Sequence, residues 1–176
     1  MGHCDPARTV DTGGRSPRTG PYSGHIYDPL AITSGDEDGA KRFATCRQQA
    51  GCANDISTQA VGMRGRAALN SSRRGLGPRI EAGETWHHDG PPTDVHQAKH
   101  DALFASIRRG KPINNGGSMA RSTRRAIMGR MATSTGEVIT WEQALSCEEK
   151  RSSPRYDWGL SLPVPPVAIP GLAEFA

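Results

Sequence analysis

Apolar and polar positions alternate in short runs over the first ninety residues, and turn-forming clusters separate the runs. GHIYDPLAIT (24–33) is followed by the turn cluster SGDEDG (34–39) and then by AKRFATCRQQ (40–49), which predicts a β-hairpin around an Asp/Gly-rich loop. Pro29 falls inside the first of these strands. With no backbone N–H to donate to a ladder, it predicts either an edge position for that strand or a shorter strand. DISTQAVG (55–62) and RAALN (66–70) flank a GMRG turn and predict a second hairpin. PRIEAGETWHH (78–88) supplies two more short strands around Ala82–Gly83. A run of hairpins makes an antiparallel sheet.

The period changes after DGPP (89–92). A helix starts with Thr93 as its N-cap, and His96, His100, Leu103, Phe104 and Ile107 share one face of it, opposite Gln97, Asp101 and Arg108. Gly110 ends that helix and Pro112 prevents its resumption. A second helix is predicted from about Gly117 to Thr133. Met119, Thr123, Ala126, Ile127 and Arg130 form its broad inward face, Ala120 and Met131 its margin, while Arg121, Arg125 and Ala132 point away. Gly136 closes it. Thr140 then caps a short helix, with Gln143 three residues on completing a capping box. The tail carries Pro154, Pro163, Pro165, Pro166 and Pro170, and its LPVPPVAIPG predicts an extended polyproline-like strap over the domain. Strands first and helices afterwards give an α+β fold, an open, mostly antiparallel sheet with helices packed on one face. The expected organisation is one domain over 1–151 and a Pro-rich extended tail over 152–176.

Composition narrows this picture. With 35% hydrophobic and 5% aromatic residues among 21 Gly and 13 Pro, a modest core and many loops are expected. The 22 basic and 18 acidic residues leave a net charge of only +4. The basic residues are dispersed, as the pairs Arg73–Arg74, Arg108–Arg109 and Arg124–Arg125, with no aromatic between them. That argues against a nucleic-acid partner. No apolar run reaches the ~18 residues of a membrane span, and MGHCDPARTV lacks the apolar centre of a signal peptide. No membrane partner is expected, and a cytoplasmic location is the default. Cys4, Cys46, Cys52 and Cys147 form no C-x-x-C motif and are expected to be free thiols.

Candidate chemistry is sparse. His96 and His100 have the i, i+4 spacing of metal ligands, but Gln97 stands where the general-base Glu of H-E-x-x-H would be. Set among Leu103, Phe104 and Ile107, they are expected to pack rather than bind metal. His87, His88 and Asp89 read as a solvated loop. GLGPRI (75–80) begins as G-x-G but has Ile80 in the third glycine position. There is no phosphate-binding G-x-x-x-x-G-K-[ST] loop and no G-x-S-x-G elbow. The residues assign no catalytic group, no cofactor-binding loop and no metal set. Arg130, in the middle of an apolar face, predicts a carboxylate partner, because an unpaired charge there is costly.

Five stretches, in order, carry a resemblance: GGRSPRTGPYSGHIYD (13–28), CRQQAGCANDIS (46–57), HDALFASIRRGKPINNG (100–116), STRRAIMGRMATSTGEVITWEQAL (122–145) and YDWGLSLPVPPVAIPG (156–171). Together they resemble the C-terminal part of the glucose–fructose oxidoreductase/inositol dehydrogenase/MocA (Gfo/Idh/MocA) family, in the form common in planctomycete-like bacteria. The resemblance implies a two-domain enzyme whose N-terminal Rossmann domain binds NAD or NADP. Its C-terminal α/β domain carries a large open sheet that helps form the substrate pocket and packs against another subunit. The implied chemistry is hydride transfer between the nicotinamide and a sugar, inositol or related polyol.

The family's glycine-rich loop, the Lys of its E-K-P motif and its Asp/His motif lie outside the resembling stretches. GKP at 110–112 follows a helix and is not that Lys motif. The resemblance therefore implies a truncated enzyme (an orphan domain, a start assigned too late, or a decaying gene copy) that binds no cofactor alone and is inactive in redox chemistry by itself. A longer parent could carry an export signal. Thr33 and Ser34 weaken a strand that is apolar in relatives, and Arg124 and Arg125 replace an often apolar pair. On the same resemblance, Arg18, Tyr22, His25 and Tyr27 are candidates for the polyol-facing wall. The alternative is a non-catalytic module for sheet-mediated dimerisation or partner binding, with a homo-oligomer formed through the sheet face.

Overall fold

The computed structural model describes residues 5–25, 27–71, 77–91, 94–161 and 165–175. Its elements are β1 (Pro6–Gly13), β2 (Pro29–Asp36), β3 (Lys41–Arg47), β4 (Ser57–Gly62), β5 (Gly65–Ser71), β6 (Arg79–Ala82), β7 (Glu84–His87), α1 (Val95–Arg108), α2 (Gly116–Thr135), β8 (Ile139–Thr140) and α3 (Trp141–Ser146). The α+β class holds. The strands form two four-stranded antiparallel sheets, and the chain divides into two compact units. The first unit is Met1–Ala50 with Asn115–Ala176, and the second is Gly51–Asn114.

In the first unit the strand order is β3-β2-β1-β8. The hairpin expected after residue 24 is present, but Ser34–Asp36 belong to β2 and the turn is shorter. Asp36 N–H donates to Ala40 O at 2.9 Å, and the Arg42 guanidinium meets both Asp36 carboxylate oxygens, at 2.8 and 2.5 Å. Of the two outcomes expected from Pro29, the edge position is overturned, because β2 lies between β1 and β3, and the shortening is found, because the strand begins only at Pro29. Pro29 is the first residue of the strand, so its missing donor falls at the end of the ladder. Its carbonyl still accepts from Gly14 N–H at 3.2 Å.

Strand β1 was not anticipated, and its residues explain why. Thr9 and Asp11 are buried, whereas Val10 points outward and is 43% exposed, which inverts the usual alternation. The register sets Thr9 opposite Ser34, Asp11 opposite Ile32 and Gly13 opposite Leu30. The Thr9 and Ser34 hydroxyls share a hydrogen bond of 3.0 Å, and Ala31 N–H donates to Asp11 Oδ1 at 3.0 Å. Asp11 Oδ2 has no hydrogen-bond partner among the described residues. Burial pushes the Asp11 carboxyl above the ordinary carboxylate range, against the opposing pull of the Thr12 and Ala31 backbone.

A carboxylate with a raised pKa is held better protonated, so its penalty appears as pH rises through that raised value and persists above it. Asp11→Asn keeps the acceptor for Ala31 and removes the buried charge. It is expected to raise the melting temperature at neutral pH, and the gain is expected to vanish at acid pH, where Asp11 is protonated in both states. Thermal melts at the two pH values check this, and an equal effect at both would contradict it.

Helix α2 crosses the face that carries Thr9, Asp11 and Ile32. Small residues permit the close approach: a Cβ added at Gly129 would lie 2.5 Å from Ile32 Cδ1, and one at Gly13 would lie 2.5 Å from Thr133 Cγ2. The buried stripe of α2 is Met128, Met131, Ala132 and Thr135, at i, i+3, i+4 and i+7. This corrects the expected inward face. Met119 and Ile127 are exposed at 66% and 40%, while Ala132, expected outside, is fully buried. Met128, Met131, Ala132 and Ile139 form the core, with Trp141, Ala144, Cys147 and Phe175 packed against it. Gly136 closes α2 as expected. Thr140 and Gln143 make the expected capping box, through Gln143 N–H to Thr140 Oγ1 (3.2 Å) and Thr140 N–H to Gln143 Oε1 (2.8 Å). Arg124, in the pair read as a departure, lies 4.7 Å above the Trp141 ring, a cation–π contact.

In the second unit the order is β4-β5-β6-β7, with tight turns at Met63–Arg64 and at Gly83, as the glycine spacing predicted. Thr93 lies outside the described residues. Helix α1 is capped by Asp94, whose Oδ1 accepts from His96 N–H (2.8 Å) and Gln97 N–H (3.2 Å). The apolar face of α1 exists but is not covered: Leu103, Phe104 and Ile107 are all exposed, and Ser106 is the buried residue of the helix. His96 and His100, expected to pack, are exposed as well. No group of three His, Cys, Asp or Glu able to hold a metal ion occurs among the described residues.

Candidate functional site

The loop between β1 and β2 is organised by one buried carboxylate. Asp28 is 2% exposed, and its Oδ2 accepts from Arg18 N–H (3.1 Å) and Ser16 N–H (3.3 Å). The Arg18 guanidinium stands 3.9 Å from Oδ1. Asp28 N–H donates to Gly14 O at 3.0 Å, which closes the base of the loop. Arg15 ties its outer part by donating to Arg18 O at 2.8 Å and to Gly20 O at 3.2 Å.

This loop carries His25 and Tyr27 to the C-terminal tail. His25 Nε2 lies 2.8 Å from Pro165 O and donates to it in the Nε2–H form, and the Tyr27 hydroxyl donates to Ala168 O. Burial pushes the Tyr27 phenol up, against the charge of Arg15. Further along, Gly171 N–H donates to Thr135 O at 2.6 Å, at the C-terminal end of α2. The tail is thus fixed to the first unit at three points. Of the strap expected here, residues 162–164 lie outside the described residues.

These contacts border an open cavity of about 710 Å³. Its walls are His25 and Tyr27 from the loop, Arg130 and Ser134 from α2, the run Lys150–Pro154, and Pro165, Pro166, Ala168 and Ala173 from the tail. The volume is within the usual range for small-molecule sites. Arg130 has the carboxylate partner its position predicted: its Nη2 donates to Glu149 Oε2 at 2.5 Å, and Arg151 Nε donates to Glu149 Oε1 at 2.9 Å. Burial raises the Glu149 carboxyl, but the hydrogen bonds and charges of Arg130 and Arg151 together outweigh it and hold Glu149 below the ordinary range.

Of the four candidate wall residues, His25 and Tyr27 come together in the cavity. Arg18 belongs to the Asp28 cluster, and Tyr22 stands fully exposed in the 3-10 turn Pro21–Ser23. Sequence reasoning missed Asp28, Lys150, Arg151 and Ser134. Asp28, next to Pro29 in a loop, has no periodicity to mark it. Lys150 and Arg151 reach α2 beside Glu149, which Arg130 holds from 19 residues away, and the tail meets them only by folding back to residues about 140 positions away.

No family model matches this sequence, and no curated protein does. The fold, however, is found in solved oxidoreductases. It is similar to the aldose–aldose oxidoreductase from Caulobacter crescentus complexed with glycerol (TM-score 0.61, 18% identity, 78% of this chain and 42% of that one). It is similar to a putative oxidoreductase from Thermotoga maritima (TM-score 0.59, 16% identity, 78% and 41%). An oxidoreductase from Agrobacterium radiobacter in complex with NAD+, L-tartaric acid and magnesium matches at a TM-score of 0.53, with 14% identity over 77% and 43%. The chain spans less than half the length of each of these proteins, and it has the fold of that part of an oxidoreductase.

Proposed function

We propose that this chain is the substrate-binding and oligomerisation part of an NAD(P)-dependent oxidoreductase of the Gfo/Idh/MocA type, acting on a sugar, inositol or related polyol. The observation that carries this reading is the shared fold over 78% of this chain and 42% of an aldose–aldose oxidoreductase. A glycerol complex and an NAD+ complex among the similar structures support a polyol and a nicotinamide as the reactants. In this reading His25 and Tyr27 orient hydroxyl groups, Arg18 and Tyr22 stand on the same loop as further substrate contacts, and the nicotinamide is held by a partner domain.

The test is a chimera in which this chain replaces the corresponding part of the Caulobacter enzyme. Polyol-dependent reduction of the nicotinamide is expected from the chimera and none from this chain alone. A chimera that folds and binds the nicotinamide, yet reduces it with no polyol or sugar, would sink the proposal.

One observation favours the non-catalytic alternative, an oligomerisation or partner-binding module. The face of the first sheet opposite α2 carries Val10 and Phe43, 43% and 73% exposed, in register beside Thr33. If light scattering reads a dimer that Phe43→Lys returns to monomer, while the chimera stays inactive, the alternative takes precedence.

A further inference from the structure

We propose that the cavity between the end of α2 and the C-terminal tail is a binding site for a small anion, a molecule bearing a phosphate or a carboxylate group. The cavity shares His25 and Tyr27 with the proposed polyol site, so the inference rests on that reading and narrows it to a substrate or ligand that bears an anionic group; the cations that would hold that group all come from this chain.

The argument rests on which donors and acceptors in the cavity are already used. Three cationic side chains line it: Arg130, Lys150 and Arg151. They face a single carboxylate, Glu149, which is divided between the two guanidinium groups. That carboxylate engages one nitrogen of each, and a guanidinium has five N–H donors, so both retain donor capacity. Lys150 has no ion-pair partner among the described residues, so the three cations are not neutralised by one anion.

Two acceptors on the tail side are engaged. Pro165 O receives His25 and Ala168 O receives Tyr27, so each of these two carbonyls has one donor and presents less unbalanced negative charge to a ligand. Ser134 and Ser152, neutral hydroxyl side chains, line the same cavity. The pinned tail also builds the cavity in advance, so binding orders little chain. Guanidinium groups beside hydroxyl donors suit the planar or tetrahedral oxygens of a carboxylate or phosphate. Glu149 holds both arginines in place, and a ligand anion joins it rather than replacing it. Its charge nevertheless opposes the ligand's.

The experiment titrates the chain as it stands, by calorimetry at low ionic strength, with inorganic phosphate, with a hydroxycarboxylate (gluconate) and with uncharged glycerol. Saturable anion binding that weakens with added chloride is expected. Lys150→Ala, a change at an exposed side chain, is expected to weaken it about threefold to tenfold. Glu149→Gln keeps a hydrogen-bond acceptor for the arginines and removes the opposing charge, so it is expected to tighten binding. Saturation by phosphate alone identifies a phosphate ligand, and saturation by gluconate alone a carboxylate. The inference is overturned if neither anion saturates, if glycerol binds as well as the anions, or if both variants bind as the parent does. The readout needs no nicotinamide and no turnover, so a failed chimera and a failed anion titration are separate results.

Discussion

Met128→Ala is expected to remove about 3 kcal/mol from the stability of the first unit, the range found when a fully buried large apolar side chain becomes alanine. Met128 is completely buried, and among the described residues its buried companions are Met131, Ala132 and Ile139, with Trp141 and Phe175 packed against them. Whole domains are stable by about 5–15 kcal/mol, so the loss is a large share of the total. Met128→Leu, which nearly conserves volume, is expected to cost less than about 1.5 kcal/mol. Urea unfolding followed by Trp141, which packs on this core, gives the comparison. If the alanine variant unfolds within about 0.5 kcal/mol of the parent, the core as described does not hold the unit together.

Asp28→Ala is expected to cost about 2–3 kcal/mol, because it leaves the N–H groups of Ser16 and Arg18 without their acceptor. The same change releases the loop that presents His25 and Tyr27. Hydrogen exchange at Ser16 and Arg18 is therefore expected to speed up before global unfolding does. Asp28→Asn keeps one oxygen in place and is expected to recover part of the loss. Protected amides at 16 and 18 in the alanine variant would show that another group orders this loop.

What the sequence revealed depended on whether local chemistry was enough. The turns at Met63–Arg64 and Gly83, the Gly136 stop and the Thr140–Gln143 box are each fixed by a few adjacent residues, and all are found as read. Strand β1 was illegible because its inward residues are Thr9 and Asp11, satisfied by Ser34 and by a backbone N–H of the next strand. Helix α2 misled for the opposite reason. Two of its large apolar side chains, Met119 and Ile127, are exposed while Met128 and Met131 are covered, and the packed stretch is also marked by small residues such as Gly129 and Ala132. At the candidate site, Arg130 announced its need for a carboxylate, but the partner Glu149 lies 19 residues on. The cavity itself depends on the tail's return to His25 and Tyr27, a contact with no local signature.

The first unit is interrupted by the second, and this has a consequence for synthesis. Strands β1 to β3 are complete by Arg47, but Gly129 and Thr133 of α2, which pack close to Ile32 and Gly13, follow about eighty residues later. At roughly 5–20 residues per second the nascent chain carries the face that α2 crosses, Thr9, Asp11 and Ile32 included, uncovered for about 4–16 s. Polar residues along β1 keep such a face wettable during the wait, so the inverted alternation that hid the strand from sequence reading also suits a sheet that must stand half-built before its helix emerges.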